Sequence, residues 1–152
     1  MTNVKINDTI NLSYPDGFKE MGEAELTKYF GNPDNRWGAY NAEQHVILSV
    51  SWAKKGLFAD VESKLIEAES RLSRSLLNFQ KVTAIDTKIA DIKAKGIRFE
   101  YRVNDSVMVH IADLIILKHK NMFYSFYLVT RKMNSAAPRL EFAEMLKGIT
   151  VG

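Results

Sequence analysis

Cysteine is absent from all 152 residues. That excludes disulfide bonds, thiolate nucleophiles and sulfur-ligated metal sites. A chain without cysteine suits a reducing cytosol, and it suits many exported proteins equally well. Proline occurs only three times, and the eight glycines stand singly at apparent turns. No stretch therefore reads as a linker or a low-complexity segment. Neither GxGxxG nor a P-loop pattern is present, so no glycine-rich phosphate cradle is expected. No window reaches the ~18–20 apolar residues that a membrane span requires. The opening residues, Met1 to Asp8, have no signal-peptide core and no lipidation cysteine. A cytoplasmic protein without stable membrane insertion is expected, although an exported chain stripped of its leader would look the same. A dense basic run is also missing. Residues 1–80 hold nine basic and eleven acidic side chains, and residues 81–152 hold twelve and seven. That mild asymmetry lacks the basic stripe of nucleic-acid proteins, and no nucleic-acid partner is expected.

What is present is ordinary globular material. Apolar residues make up 46% and charged residues 26%, enough for one domain, taken as residues 1–152, to bury a core without staples. Residues 9–14 alternate, placing Ile10, Leu12 and Tyr14 on one face of a strand closed by Pro15-Asp16-Gly17. A short helix over 22–30 groups Leu26, Tyr29 and Phe30, with Gly31 as a left-handed cap and Pro33 beyond. Residues 36–40 form a strand, 41–43 a turn and 44–54 a stronger strand. There Val46, Leu48, Val50 and Trp52 face one way, and Ile47, Ser49 and Ser51 the other.

Lys55-Gly56 breaks that strand. The spacing then predicts a long helix over 59–79, capped by Asp60, with Val61, Leu65, Ala68, Leu72, Leu76 and Phe79 as its apolar stripe and Glu67–Arg71 paired on its outer face. Strands follow over 83–94, over 97–103 after an interruption at Gly96, over 107–118 after a turn at Asn104-Asp105, and over 121–132 after a Lys-His-Lys-Asn turn. A helix near 138–147 buries Phe142, Met145, Leu146 and Ile149 and ends at Gly148. Hairpin-linked strands without helical crossovers pair antiparallel. The expected fold is α+β, one twisted antiparallel sheet with helices packed on it.

Chemistry is scarce. His45, His110 and His119 show no metal-ligand spacing, and His110 and Asp113 point to opposite faces of a strand. No nucleophile elbow exists. No catalytic residue, metal site or cofactor is therefore assigned. The most aromatic stretch, Asn121 to Lys132, superficially suggests a base-stacking platform. Alternation places Tyr124, Phe126 and Leu128 on one face and Phe123, Tyr127 and Val129 on the other. A strand that is apolar on both faces is a core strand, with one row under a helix.

Taken in order, the segments INLSYPDGFKEM (10–21), AYNAEQHVILSVSWAKKG (39–56), KGIRFEYRV (95–103), DLIILKHKNMFYSFYLVTRK (113–132) and a final FAEMLKGI helix carry a resemblance across the whole chain. It resembles the PsbP-like α/β/α sandwich superfamily, and within it the small bacterial single-domain members. The resemblance implies an α+β fold, an antiparallel sheet of about six strands flanked by helices, and no common enzyme activity. It implies a non-catalytic protein-binding or assembly module, with another protein as partner and a homodimer as one possible state. Two alternatives stand beside it: an adaptor-chaperone for amphipathic or transmembrane segments of a secreted protein, and a hydrolase or small-ligand enzyme whose site assembles from scattered residues. Trp37 and Tyr40, on a short early strand beside Asn35 and Asn41, are the candidate contact residues.

Overall fold

The computed structural model describes residues 1–56, 59–103 and 107–152. The chain runs β1 (Thr2–Ile6), β2 (Ile10–Tyr14), β3 (Lys19–Glu20), α1 (Glu23–Phe30), β4 (Arg36–Asn41), β5 (Val46–Lys54) and α2 (Val61–Ser75). It continues through β6 (Leu77–Ile89), β7 (Ile92–Arg102), β8 (Val109–His119), β9 (Met122–Arg131), a single 3₁₀ turn (Lys132–Asn134), α3 (Ala136–Lys147) and β10 (Thr150–Val151). Among the described residues, one antiparallel sheet of seven strands has the order β3-β4-β5-β9-β8-β7-β6, and a small three-stranded sheet has the order β1-β2-β10.

Two apolar layers sandwich the large sheet. On one face Val50, Leu117, Tyr124, Phe126 and Leu128 pack against β2 and against Phe142 and Met145 of α3. On the other, Ile97, Phe99, Ala112, Leu114 and Ile116 pack under the stripe of α2. β9 supplies both layers, as its double alternation requires: Tyr124, Phe126 and Leu128 join the first, and Phe123, Tyr127 and Val129 the second. Full burial of a side chain of this size contributes about 1.5–3 kcal/mol, which makes β9 the structural axis of the molecule.

The local signals act where they stand. Asp60 accepts the Ser63 amide at 2.7 Å, and Ser63 Oγ accepts the Asp60 amide at 3.1 Å, which closes a reciprocal cap on α2. Gly31 takes a left-handed φ of 80° and donates to the Thr27 carbonyl at 2.8 Å, ending α1.

Several boundaries differ from the sequence expectation, each for a physical reason. α2 stops at Ser75, short of residue 79. Leu76 is already extended, and Phe79 lies on β6, where its ring meets Phe99 at 5.2 Å. The i, i+3/i+4 spacing continues past Ser75, but the ladder to β7 wins over it. The Glu67–Arg71 pair does not form among the described residues. β6 runs from 77 to 89 and turns at Ala90-Asp91, both with left-handed φ (50° and 63°). Gly96 therefore lies inside β7, opposite Ile115, and interrupts nothing. His45 belongs to the turn before β5, with φ 57°. β1, β3 and β10 were not foreseen, and the Asn104-Asp105 turn lies outside the described residues. At the free edge of the sheet, β6 carries two register shifts and the charges Lys81, Asp86 and Lys88, which discourage further strand pairing.

Candidate functional site: a furrow between two helices

Alternation decides which side chains share the α2 face. They are Arg36, Gly38 and Tyr40 of β4, Ile47, Ser49 and Ser51 of β5, Ser125, Tyr127 and Val129 of β9, and His110 and Tyr101 further across. α2 covers the β6–β8 side of this face. α1 covers β4, and it comes close because residue 38 is glycine: a Cβ there would stand 3.0 Å from both Leu26 Cδ2 and Met21 Sδ. The two helices thus leave β5 and β9 as the floor of a furrow.

At one end the furrow widens into a cleft of about 740 Å³. Ile47, Tyr127 and Val129 form its floor, Tyr29 and Phe30 of α1 one wall, and Leu76 and Tyr101 the other. Tyr29 and Val103 keep 44% and 42% of their surface exposed, so the cleft opens on accessible apolar groups. The charged side chains at its rim are Lys28 and Arg131, and no carboxylate belongs to its described lining.

Polar groups inside the cleft are anchored. The Tyr127 hydroxyl is hydrogen-bonded to that of Tyr101, and burial, then Tyr101, pushes the Tyr127 phenol well above its usual range. The His110 ring stacks on Tyr101 at 5.5 Å. Burial lowers the His110 pKa, Arg131 lowers it further, and a backbone hydrogen bond at Met108 opposes them. His45 shares the cleft, whereas His119 ends β8 at the opposite end of the strand. No cluster of three or more His, Asp or Glu side chains suited to a metal ion occurs among the described residues. No helix among them is long and apolar enough to cross a membrane.

The two candidate contact residues part company. Tyr40 lines the cleft, and a hydrogen bond to Glu25 raises its phenol pKa. Trp37 projects to the opposite face, where its ring meets Tyr14 at 5.6 Å and Nε1 donates to Glu20 Oε1 at 2.8 Å. Odd and even positions of one strand cannot serve one surface. Arg36, Tyr101, His110, Tyr127 and Arg131 were not singled out from the sequence as contacts. The available signal was the polar row Ser49, Ser51 and Ser125 on otherwise apolar strands.

No protein-family model matches this sequence, and no curated protein matches it. Solved structures do. Cyanobacterial PsbP from Synechocystis sp. PCC 6803 is similar with a TM-score of 0.71 at 12% identity, covering 99% of this chain and 92% of that one. LpqN of Mycobacterium tuberculosis, described as involved in cell envelope biogenesis, gives 0.68 at 15% identity, covering 99% and 89%. The Ran-binding protein Mog1p of Saccharomyces cerevisiae gives 0.65 at 10% identity, covering 99% and 96%. The chain has the PsbP-like α+β fold, as its sequence resemblance implied. At these identities the likeness is one of fold.

Proposed function

We propose that the chain is a non-catalytic protein-binding module, and that a segment of a partner protein seats in the cleft between α1 and the C-terminal end of α2. The observation that carries this reading is the cleft itself: a concave, aromatic and aliphatic floor, open to solvent, with cations at its rim and no carboxylate in its described lining. Accessible apolar surface framed by polar groups is characteristic of recognition sites. The fitting partner is a short segment with one or two apolar anchors and acidic flanks. Mog1p, of the same fold, is a Ran-binding protein, which supports the class of function by analogy of fold only.

Site-specific photo-crosslinking tests this reading. A crosslinker placed at Tyr29 is expected to capture a discrete protein in the native host that the same group at Lys88, on the charged sheet edge, does not capture. Replacing Tyr29 and Tyr40 together by alanine should weaken that capture about ten-fold or more, the scale of interface aromatics, with thermal stability retained. Identical products from both positions, or capture unaffected by the double substitution, would refute the cleft as the docking surface. A captured membrane-spanning segment would mark the partner as a chaperone client.

A further inference from the structure

Beyond the cleft the same face of β4, β5 and β9 turns polar. Register sets Arg36, Ser51 and Ser125 in one row across β4, β5 and β9, with Ser49 and Tyr127 paired in an adjacent row. Arg36 Nη1 donates to Ser49 Oγ at 2.7 Å, and the guanidinium carbon lies 4.1 Å from the centre of the Phe30 ring. The guanidinium is thus held between an aromatic face and a fully buried hydroxyl. Burial lowers the pKa of Arg36; Tyr127 opposes this, and the charge of Arg71 on α2 adds to it.

A half-buried cation is ordinarily matched by a carboxylate. Here, among the described residues, no carboxylate forms an ion pair with Arg36 or Arg71. The guanidinium has five N–H donors, and the described structure satisfies one with a side-chain acceptor. The Phe30 ring covers one face of the guanidinium, and Ser49 takes one donor at its edge. A planar carboxylate meets such an edge with two parallel hydrogen bonds. The hydroxyls of Ser51 and Ser125 stand in the same row as further donors.

We propose that Arg36 and the serine hydroxyls of β5 and β9 form an anion subsite that takes a side-chain carboxylate of the partner segment. The proposal rests on the cleft as recognition surface and adds the group that the inner furrow reads: an Asp or Glu placed next to the apolar anchor.

The subsite can be tested without a partner. In the ¹⁵N-labelled chain, acetate is expected to move the Arg36 Nε–Hε signal and the Ser51 and Ser125 amides saturably, and chloride at the same ionic strength to leave them in place. Arg36→Met should abolish the response. Arg36→Lys, which keeps the charge but loses the fork, should recover only part of it. No saturable shift, or a shift that persists in Arg36→Met, would overturn the subsite. Inorganic phosphate binding ten-fold more tightly than acetate would overturn its assignment to a carboxylate. A crosslinked partner without an acetate response would sink the subsite alone. An acetate response without a partner would leave the subsite standing and remove the docking reading.

Discussion

Gly96 offers the sharpest test of the packing, because one methyl group is enough. A Cβ at this position would stand 2.1 Å from the Leu114 carbonyl oxygen and 2.9 Å from Ile115 Cα. Both are backbone atoms of β8, which is hydrogen-bonded between β7 and β9 and has no rotamer to yield. Alanine at 96 must therefore push two strands apart by about an ångström or break the ladder there. Overpacking against mobile side chains costs about 1–3 kcal/mol, so against backbone Gly96→Ala should lie at or above the top of that range. The backbone entropy gained on replacing glycine returns only about 0.5–1 kcal/mol. A net loss of about 2–3 kcal/mol is expected. With a urea m-value of about 2 kcal/mol/M, typical of small domains, the denaturation midpoint should fall by about 1–1.5 M at unchanged m. Gly56→Ala is the control: nothing stands within 4 Å of its added Cβ, so the same substitution should be neutral or stabilising by up to about 1 kcal/mol. A Gly96→Ala protein within about 0.5 kcal/mol of the parent, the ordinary scatter of surface substitutions, would refute the close approach of β7 and β8. It would also undo the register that aligns Ile97, Leu114 and Tyr127 beneath the furrow.

Two further outcomes follow from local chemistry. Because burial and Arg131 depress the His110 pKa below 6.5 in the folded state, its neutral form contributes stability above the unfolded value that is lost as pH falls through the folded one. His110→Phe, which keeps the stack on Tyr101, should therefore lose less melting temperature than the parent between pH 7.5 and 5, and equal losses would show that His110 plays no part. The Ala90-Asp91 turn holds two non-glycine residues at left-handed φ, a conformation that favours Asn-Gly in a two-residue hairpin. Replacing the pair by Asn-Gly should stabilise the chain by about 1 kcal/mol, from the left-handed strain that it relieves, and a lower urea midpoint would contradict that.

Much of this architecture is local information. The alternation in β5 and β9, the reciprocal cap at Asp60 and Ser63 and the terminator Gly31 all follow from neighbours in sequence, because side-chain period and capping are set within a turn or a few residues. The double alternation of Asn121 to Lys132 was enough to place β9 between two layers. Where the reading failed, a distant partner decided. Leu76 and Phe79 keep helical spacing, yet pairing with β7 drew Phe79 into a strand against Phe99. Gly96 has the look of a strand break, and only the nearness of Leu114 and Ile115 explains it as an interior residue. The ladder of β2 with β1 and β10 joins segments from the two ends of the chain, which no local pattern announces.

The candidate site divides in the same way. Tyr40 was legible as a partly exposed aromatic on a short strand, and the polar row of Ser49 and Ser51 was visible as alternation. That Trp37 and Tyr40 part to opposite faces follows from period two alone. The sequence by itself determined the three helices and the long strands in kind, the two-faced core strand, the antiparallel pairing and the absence of cysteine chemistry, because each depends on composition or on a period of two or 3.6 residues. Only the tertiary structure decided that α1 and α2 stand apart over β5 and β9, since helix spacing is set by which residues meet, such as Leu26 with Gly38 and the α2 stripe with Ile97 and Ala112. That gap turns one arginine, three serines and a few aromatics, far apart in the chain, into a single surface.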